Sequence, residues 1–256
     1  MKCVILAGGL GTRLSEETIS KPKPMVEIGG KPIIWHIMKY YSFFGVDEFI
    51  ICLGYKGEII KNFFMNYKAN TSNLMINLNN DNIQYTNKTN DKWKVHLIDT
   101  GEFTMTGSRI KKIRDLITED NFFCTYGDGL SNVNIKLLYK HHITNNLVAT
   151  ITAVQPPGRF GSLILENDLV KSFVEKPIGD NSWINGGFFV FSKDIFNYLN
   201  HSEKCVLEED PLTELSQQKK LSAFKHNGFF QPMDTLRDVR FLQRLYEEEN
   251  CPWKIW

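Results

Sequence analysis

Residues 3–14 read CVILAGGLGTRL, and this stretch decides the fold. The first five residues are continuously apolar, and Gly8 and Gly9 follow at once, which predicts a strand buried on both faces that ends in a glycine loop. Apolar residues then recur at helical spacing through residues 32–45, and EFIICLGY at residues 48–55 repeats the buried-strand pattern. A strand, a helix and a second buried strand predict a βαβ unit in a parallel sheet.

The alternation of helix and strand patterns continues beyond this unit. Residues 68–92 interrupt it, because they are rich in Asn and Thr, and they predict surface hairpins or an irregular insertion. Further strands are predicted at residues 93–101, 121–129, 147–154, 162–166, 169–176 and 186–192, and further helices at residues 57–67, 109–117 and 234–249. The sequence therefore predicts an α/β fold that becomes β-rich after about residue 150, without an internal repeat or linker.

The composition is that of a globular protein. The chain has 256 residues, of which 42% are hydrophobic and 23% charged, and its 30 Lys+Arg and 29 Asp+Glu give a formal charge of +1. These values exclude a disordered or membrane-spanning chain and a general basic surface for nucleic acid. Five cysteines without a CxxC pair argue against a disulfide framework and a zinc site. Because the N-terminus has no signal-peptide pattern, we expect a cytoplasmic protein with neither a nucleic-acid nor a membrane partner.

The glycine loop has the composition of a phosphate-binding nest. Glycines at positions 8, 9 and 11 let backbone amides point into a common space, and Thr12-Arg13 place a planar cation beside them. The spacing excludes a P-loop, and Leu14 stands where a dinucleotide-binding fingerprint has glycine. The competing interpretation is a tight turn followed by a solvent-exposed arginine.

Two lysines follow on a proline-rich segment, SKPKPMVEIGGKP, at residues 20–32. Its prolines predict a stiff loop without regular structure that carries Lys21 and Lys23 shortly after the nest. We expect Lys23 to reach the same phosphate groups. The alternative is a solvated turn.

Two aspartates are candidate metal ligands. Asp128 in YGDG follows a predicted strand at the edge where open α/β sheets bind ligands, and Asp234 stands where the last predicted helix begins. Mg²⁺ bound to phosphate groups takes only one or two protein carboxylates, so this pair suffices if the fold brings them together. An Asp-Gly turn and a helix N-cap are the respective alternatives.

Two later segments carry groups suited to a phosphorylated polyol. The FVEKP segment supplies Glu175 and Lys176, and the INGG segment supplies Asn185 and Gly186. A carboxylate and an amide bind hydroxyl groups, and a lysine binds phosphate. Ordinary hairpin turns are the competing interpretation. The sequence contains none of the common motifs of nucleophilic catalysis.

These motifs follow one another as they do in the sugar-phosphate nucleotidyltransferases, also called nucleoside-diphosphate-sugar pyrophosphorylases, and the chain resembles that family over nearly its whole length. The segments TMTGSR, PPGRFG and GFFQPMDTLRD resemble the branch that transfers cytidylyl groups. The resemblance implies a Rossmann-like mixed, mostly parallel sheet flanked by helices, with a β-rich sugar-binding portion. It also implies Mg²⁺-assisted attack of glucose 1-phosphate on the α-phosphorus of CTP, which gives CDP-glucose and pyrophosphate.

The resemblance also assigns roles to single residues. It implies that the nucleotide is held by Leu6, Ala7, Gly8, Gly9, Gly11, Thr12, Arg13, Lys23, Thr104, Arg109 and Asp128. It implies that the sugar phosphate is held by Glu175, Lys176, Asn185 and Gly186, and Mg²⁺ by Asp128 and Asp234. The implied catalytic residues are Arg13, Lys23, Asp128 and Lys176. This chain has Ser108 where the family motif TMTGGR has glycine, which narrows the backbone freedom beside Arg109.

The chain as a whole is expected to be one nucleotidyltransferase domain, residues 1–256. Its nucleotide-binding portion covers about 1–150, and its sugar-phosphate-binding portion with the C-terminal helix covers about 151–256. The family implies a homo-oligomer, and the branch implies synthesis of O-antigen or a related surface polysaccharide. The apolar C-terminus CPWKIW is expected to pack against a neighbour or against its own core. Two alternatives stay open: UTP or dTTP as donor or another phosphorylated acceptor, and a non-catalytic nucleotide-binding regulator.

Overall fold

The computed structural model describes residues 1–87, 91–155, 162–174, 182–200 and 202–256. The helices within these ranges are α1 Ser15–Thr18, α2 Ile33–Phe43, α3 Gly57–Met65, α4 Tyr67–Asn70, α5 Thr106–Lys112, α6 Ile135–Asn145, α7 Asp210–Gln217 and α8 Leu236–Glu247. The strands are β1 Lys2–Leu6, β2 Glu27–Ile28, β3 Lys31–Pro32, β4 Glu48–Leu53, β5 Asn73–Asn77, β6 Asn82–Thr86, β7 Lys94–Asp99, β8 Asn121–Tyr126, β9 Gly129–Ser131, β10 Ala149–Val154, β11 Ser162–Glu166, β12 Leu169–Val174, β13 Ile184–Ser192, β14 Leu221–His226 and β15 Phe230–Pro232. Short 3-10 helices lie at Thr12–Leu14, Lys23–Met25, Arg114–Leu116 and Lys193–Asn197.

A seven-stranded sheet with the order β14-β10-β13-β8-β1-β4-β7 forms the centre of the protein. β1 pairs in parallel with β4 and β8, as β4 does with β7 and β10 with β14, whereas β13 runs antiparallel to both of its neighbours. The sheet is mixed and mostly parallel, which confirms the predicted fold class. Strands from before and after residue 150 share it, while β11 and β12 form a separate hairpin.

The residues of β1 explain why helices cover both faces of the sheet. Cys3 and Ile5 belong to the core cluster that contains the buried apolar residues of α2, and Val4 and Leu6 belong to the cluster that contains Ile110 of α5. Alternate side chains of a strand point to opposite faces, so a continuous apolar run is what a doubly covered strand requires. The sequence 3–7 therefore predicts this layering correctly.

Several elements differ from the sequence prediction. The helix expected at 109–117 begins at Thr106 and ends at Lys112, and a 3-10 helix follows at Arg114–Leu116. The proline-rich segment is more regular than predicted, because Pro24 lies inside the first turn of a 3-10 helix, where a missing N–H leaves no hydrogen bond unmade. The segment 68–92 contains the antiparallel hairpin β5–β6, one of the two predicted possibilities. The sequence patterns predicted neither α7 nor β14.

The C-terminal segment packs against the core of its own chain. Trp253 is fully buried, its ring stacks on Phe229 with centroids 5.6 Å apart, and its indole N–H donates to His36 Nδ1 at 3.4 Å. Trp256 lies edge-on to Trp35. Of the two packing partners considered for this segment, the structure shows the chain's own core. None of the described helices combines the length and the apolarity needed to cross a bilayer.

Two histidines, one on α2 and one on α6, are buried in this fold. Nε2 of His36 lies 2.8 Å from the carbonyl oxygen of Ile28. His142 of α6 lies between the hydroxyl of Thr150 at 2.9 Å and the side-chain oxygen of Asn121 at 3.0 Å. Burial lowers the pKa of each histidine to about 4, so both are neutral at physiological pH.

Candidate active site

A cavity of about 540 Å³ opens at the carboxyl ends of β1 and β8, the edge at which parallel sheets bind ligands. The predicted site residues that line it are Leu6, Ala7, Gly8, Gly9, Gly11, Thr12, Lys23, Thr104, Arg109, Asp128, Asn185, Gly186 and Asp234. Arg13 lies in the 3-10 helix Thr12–Leu14, but its side chain, like the whole of Glu175 and Lys176, lies outside the described part of the chain. The structure thus brings most of the predicted residues around one space.

The glycines of the loop meet different steric demands. A Cβ on Gly8 would lie 2.1 Å from Nη1 of Arg109, and Gly11 has a φ of +66°, a conformation that favours glycine. Gly9 has no positive φ, and a Cβ there would meet nothing within 4 Å. No atom of the described protein therefore requires glycine at position 9. Its backbone faces the cavity and is open to a ligand that approaches closely.

Arg109 is buried behind the glycine loop, with only 3% of its surface exposed. Its guanidinium donates hydrogen bonds to Leu53 O (2.8 Å), Thr100 Oγ1 (2.6 Å), Gly101 O (2.8 Å), Gly8 O (2.9 Å) and Glu102 O (3.1 Å). Because loop oxygens engage the guanidinium, the geometry supports a role in holding three loops together. The direct nucleotide contact implied by the family resemblance stays a prediction.

Ser108, the residue that departs from the family motif, has partners of its own. Its hydroxyl donates to the carbonyl of Ser202 and accepts from the amide of Cys205 at 3.1 Å. The side chain is 3% exposed and ties α5 to the segment that precedes α7. The serine therefore fits this turn without disturbing the bonds of Arg109.

Lys23 joins the two predicted metal ligands. Its Nζ lies 2.6 Å from Oδ2 of Asp128 and 2.6 Å from Oδ1 of Asp234, and the lysine is 7% exposed. Burial lowers the pKa of Lys23, but the two carboxylates together raise it by more, so the pKa lies above its ordinary value and the ammonium stays charged. The predicted phosphate-binding lysine and the predicted metal ligands form a single cluster on the cavity wall.

A short strand pair explains why the two aspartates converge. In the pairing of β9 with β15, Pro232 lies opposite Gly129, and the amide of Met233 donates to the carbonyl of Asp128 at 2.8 Å. Asp234 therefore leaves β15 beside Asp128. The N-cap of α8 is Thr235, which forms a capping box with the third residue of the helix. The N-cap role considered for Asp234 is wrong, and its carboxylate contacts Lys23 instead.

The donor set of this cluster fits Mg²⁺ that arrives with phosphate groups. Both carboxylate oxygens lie at the same distance from one nitrogen, so they converge on a single cation. Within the described ranges, no three or more His, Cys, Asp or Glu side chains form a group that would hold a metal. Mg²⁺ in phosphate sites takes one or two carboxylates and completes its octahedron with phosphate oxygens and water. Asp128 and Asp234 meet that requirement.

Asn185 and Gly186 lie on the wall formed by the start of β13. The amide nitrogen of Asn185 donates to the hydroxyl of Tyr126 at 3.1 Å, and its Oδ1 accepts from the amide of Gly187 at 2.7 Å. The hydroxyl of Tyr126 donates in turn to Oε1 of Glu208. Burial, together with the charge of Glu208, raises the pKa of Tyr126, so the phenol remains a donor. These bonds fix the orientation of the Asn185 amide.

Glu208 was not predicted from the sequence as a residue of the site. Its second oxygen, Oε2, accepts from the hydroxyl of Thr106 at 2.7 Å, so the carboxylate bridges the first turn of α5 and the end of β8. Both residues that it bridges, Thr106 and Tyr126, line the cavity. Glu208 stands in the acidic run LEEDP, where nothing in the sequence distinguishes it from Glu209 and Asp210. Only the fold singles it out.

The site combines a glycine loop with a lysine-aspartate cluster at the carboxyl edge of a mostly parallel sheet, and both features suit an enzyme that binds nucleotides and phosphate groups. The family model described as nucleotidyl transferase matches residues 2–247, and the chain belongs to this family.

Comparison with individual proteins identifies relatives of the chain within this family. The chain is 50% identical to the glucose-1-phosphate cytidylyltransferase of Salmonella typhi over 257 residues, which cover 100% of both chains. It is 40% identical to the probable glucose-1-phosphate cytidylyltransferase of Bacillus subtilis, again over 100% of both chains. Among solved structures, HddC from Yersinia pseudotuberculosis complexed with GMP-PN superposes with a TM-score of 0.68 at 28% identity, covering 96% of this chain and 99% of HddC. The predicted family resemblance is confirmed.

Proposed function

We propose that this chain transfers the cytidylyl group of CTP to glucose 1-phosphate, forming CDP-glucose and releasing pyrophosphate. The observation that carries the proposal is the 50% identity to the Salmonella typhi enzyme over the full length of both chains. The cavity supports it, since predicted nucleotide and sugar-phosphate residues lie on walls of one space, where donor and acceptor must meet.

Each portion of the chain takes one substrate in this proposal. The glycine loop of the portion 1–150 cradles the triphosphate, and the open backbone at Gly9 admits a phosphate group at close range. The portion 151–256 binds the sugar phosphate through Asn185 and Gly186, together with Glu175 and Lys176. Because Tyr126 fixes the amide of Asn185, that amide presents a constant pattern of donor and acceptor to the sugar.

The chemistry is one displacement at phosphorus. An oxygen of the sugar phosphate forms a bond to the α-phosphorus of CTP, and the bond from that phosphorus to the bridging oxygen breaks, so the electron pair leaves with pyrophosphate. The main barrier is the repulsion between two anions, which positioned cations reduce. Arg13 and Lys23 stabilise the departing pyrophosphate, and Lys176 orients the attacking phosphate. Asp128 and Asp234 would hold Mg²⁺, which would supply charge that neutralises the phosphate groups.

The proposal extends to the setting of the enzyme. We place it in the cytoplasm, at the start of a route to CDP-linked sugars of a surface polysaccharide such as O-antigen, and we propose that it works as a homo-oligomer. Exposed apolar residues on the hairpins β5–β6 and β11–β12, among them Leu78 and Leu169, support the oligomer. Two-stranded hairpins are marginal by themselves, and a neighbouring subunit that covers such residues stabilises them.

Pyrophosphate release tests the proposal directly. The enzyme is incubated with Mg²⁺, glucose 1-phosphate and CTP, UTP, dTTP, ATP or GTP in turn, with reactions lacking the acceptor as the control for hydrolysis. GTP is included because the relative HddC was crystallised with GMP-PN. We expect kcat/KM for CTP to exceed that for every other nucleotide by at least about tenfold. Equal or faster release with another nucleotide contradicts the donor, and binding of CTP without any pyrophosphate release supports a regulator.

A further inference from the structure

One ammonium group occupies the space between the two metal-ligand candidates. Lys23 Nζ lies 2.6 Å from a carboxylate oxygen of Asp128 and of Asp234, so these two oxygens are no more than twice that distance apart. The side chain of Lys23 is 9% exposed, that of Asp234 17% and that of Asp128 30%. A cation is therefore already in place where the carboxylates converge, and it belongs to the protein.

We propose that Lys23 closes the site of Asp128 and Asp234 to free divalent cations, so that the metal enters only together with a nucleotide. This inference rests on the proposed role of the two aspartates as metal ligands. It adds a rule for the order of binding: the enzyme without nucleotide holds no metal, and the lysine serves as the counter-ion in its place.

The surroundings of Lys23 explain why free Mg²⁺ cannot replace it. Among the described residues, the two aspartates are the acceptors that the structure gives to its ammonium, so a displaced ammonium would be left buried without a partner. If the ammonium stayed, its charge would repel the incoming ion across a short distance. Mg²⁺ also gives up its hydration reluctantly, and two carboxylates alone offer little in return.

A nucleotide removes both obstacles at once. Its phosphate oxygens accept hydrogen bonds from the ammonium as strongly as carboxylates do, so Lys23 can exchange the aspartates for phosphate. The same phosphate groups supply further oxygen ligands to the metal. Metal and nucleotide therefore raise each other's affinity by the same factor, because such coupling is reciprocal.

Binding of Mn²⁺ in the absence of nucleotide tests this inference. The loss of the electron paramagnetic resonance signal of free Mn²⁺ is measured on the wild type, on Lys23→Met and on Lys23→Met combined with Asp234→Asn. Lys21→Met is the matched control, because Lys21 lies in the same segment but pairs with Glu17. We expect weak binding by the wild type and Lys21→Met, binding at least about tenfold tighter by Lys23→Met, and loss of that gain in the double variant.

Two results would overturn the inference: Mn²⁺ binding by a folded Lys23→Met that is no tighter than that of the wild type, or a gain that survives Asp234→Asn. Circular dichroism and the melting temperature establish that the variant is folded. Lys23→Gln, which keeps a neutral donor between the carboxylates, takes its place if Lys23→Met unfolds. The experiment involves neither nucleotide nor turnover, so an error in the proposed donor or acceptor leaves its outcome unchanged.

Discussion

Gly8 and Gly9 are neighbours with opposite surroundings, and replacing each with alanine separates folding stability from ligand binding. In Gly8→Ala the new Cβ would lie 2.1 Å from Nη1 and 2.3 Å from Cζ of Arg109, which must therefore move away from its acceptors. In Gly9→Ala the Cβ meets no protein atom within 4 Å, and the residue lines the cavity. We expect the first variant to lose stability and the second to lose affinity for the nucleotide.

The size of each effect follows from the contacts. A hydrogen bond from a charged group contributes about 1.5–3 kcal/mol, so a loss of two of the bonds of Arg109 lowers the free energy of unfolding by at least about 3 kcal/mol. In a chain of this length that corresponds to a fall in Tm of about 6–12 °C. Gly9→Ala restricts the unfolded chain and leaves stability unchanged or raised by about 0.4–1 kcal/mol.

Two assays on both variants check the prediction. Urea unfolding followed by tryptophan fluorescence gives the stability, and pyrophosphate release at varied CTP concentration gives KM and kcat. We expect KM for CTP to rise at least about tenfold in Gly9→Ala, equivalent to about 1.4 kcal/mol. A Gly9→Ala enzyme with wild-type kinetics would refute the argument that a phosphate group approaches this backbone. Equal destabilisation of both variants would refute the steric argument.

Three further predictions concern other parts of the protein. Glu208→Ala releases Tyr126, and we expect KM for glucose 1-phosphate to rise about fivefold. Stability should change by less than about 1 kcal/mol, because both bonds of this carboxylate are exposed to water, unlike those of Arg109, and Tyr126 keeps its bond with Asn185. An unchanged KM in steady-state kinetics would make Glu208 a surface contact only. Arg13→Ala is expected to lower kcat for pyrophosphate release at least about a hundredfold with little change in urea unfolding, and comparable losses of both would contradict its role. His36 and His142 have pKa values of about 4 in the folded protein, below the ordinary 6.5. The unfolded chain therefore binds more protons between these values, and unfolding free energy should fall by about 2 kcal/mol per histidine from pH 7 to pH 5. His142→Gln should remove the contribution of one histidine, which is about half of the combined fall from His36 and His142. A combined fall of unchanged size would show that His142 does not contribute to it.

The buried strands were the easiest elements to predict from the sequence. β1 and β4 are buried on both faces, and a strand buried in this way is a continuous apolar run. Such a run is visible in the sequence of the strand alone, without knowledge of the strands that pair with it. β14 lies at the edge of the sheet, where its residues are only partly buried and its pattern is correspondingly weak. The helix α7 begins in an acidic run and has few apolar residues, so its sequence looks like a loop.

The sequence predicts those residues of the candidate site whose type and position alone indicate their chemistry. Glycines and aspartates near strand ends and a lysine on the proline-rich segment predict a phosphate site by their type and position, and the structure places Gly8, Lys23 and Asp128 around one cavity. Three features of the site depend on contacts between residues far apart in sequence, and no sequence pattern indicated them. The convergence of the aspartates needs the pairing of β9 with β15, Arg109 bonds mainly to backbone carbonyls, and Glu208 differs from its acidic neighbours only by what it contacts.

The lysine that joins the two aspartates spans 105 positions to Asp128 and 211 positions to Asp234. Contacts between residues so far apart in sequence require a long loop to close, at a cost in chain entropy. During synthesis, a chain that has not yet reached residue 234 already contains the glycine loop and Asp128 but lacks the second carboxylate. The cluster can therefore be completed only after most of the protein has been synthesised, when β15 is present to pair with β9.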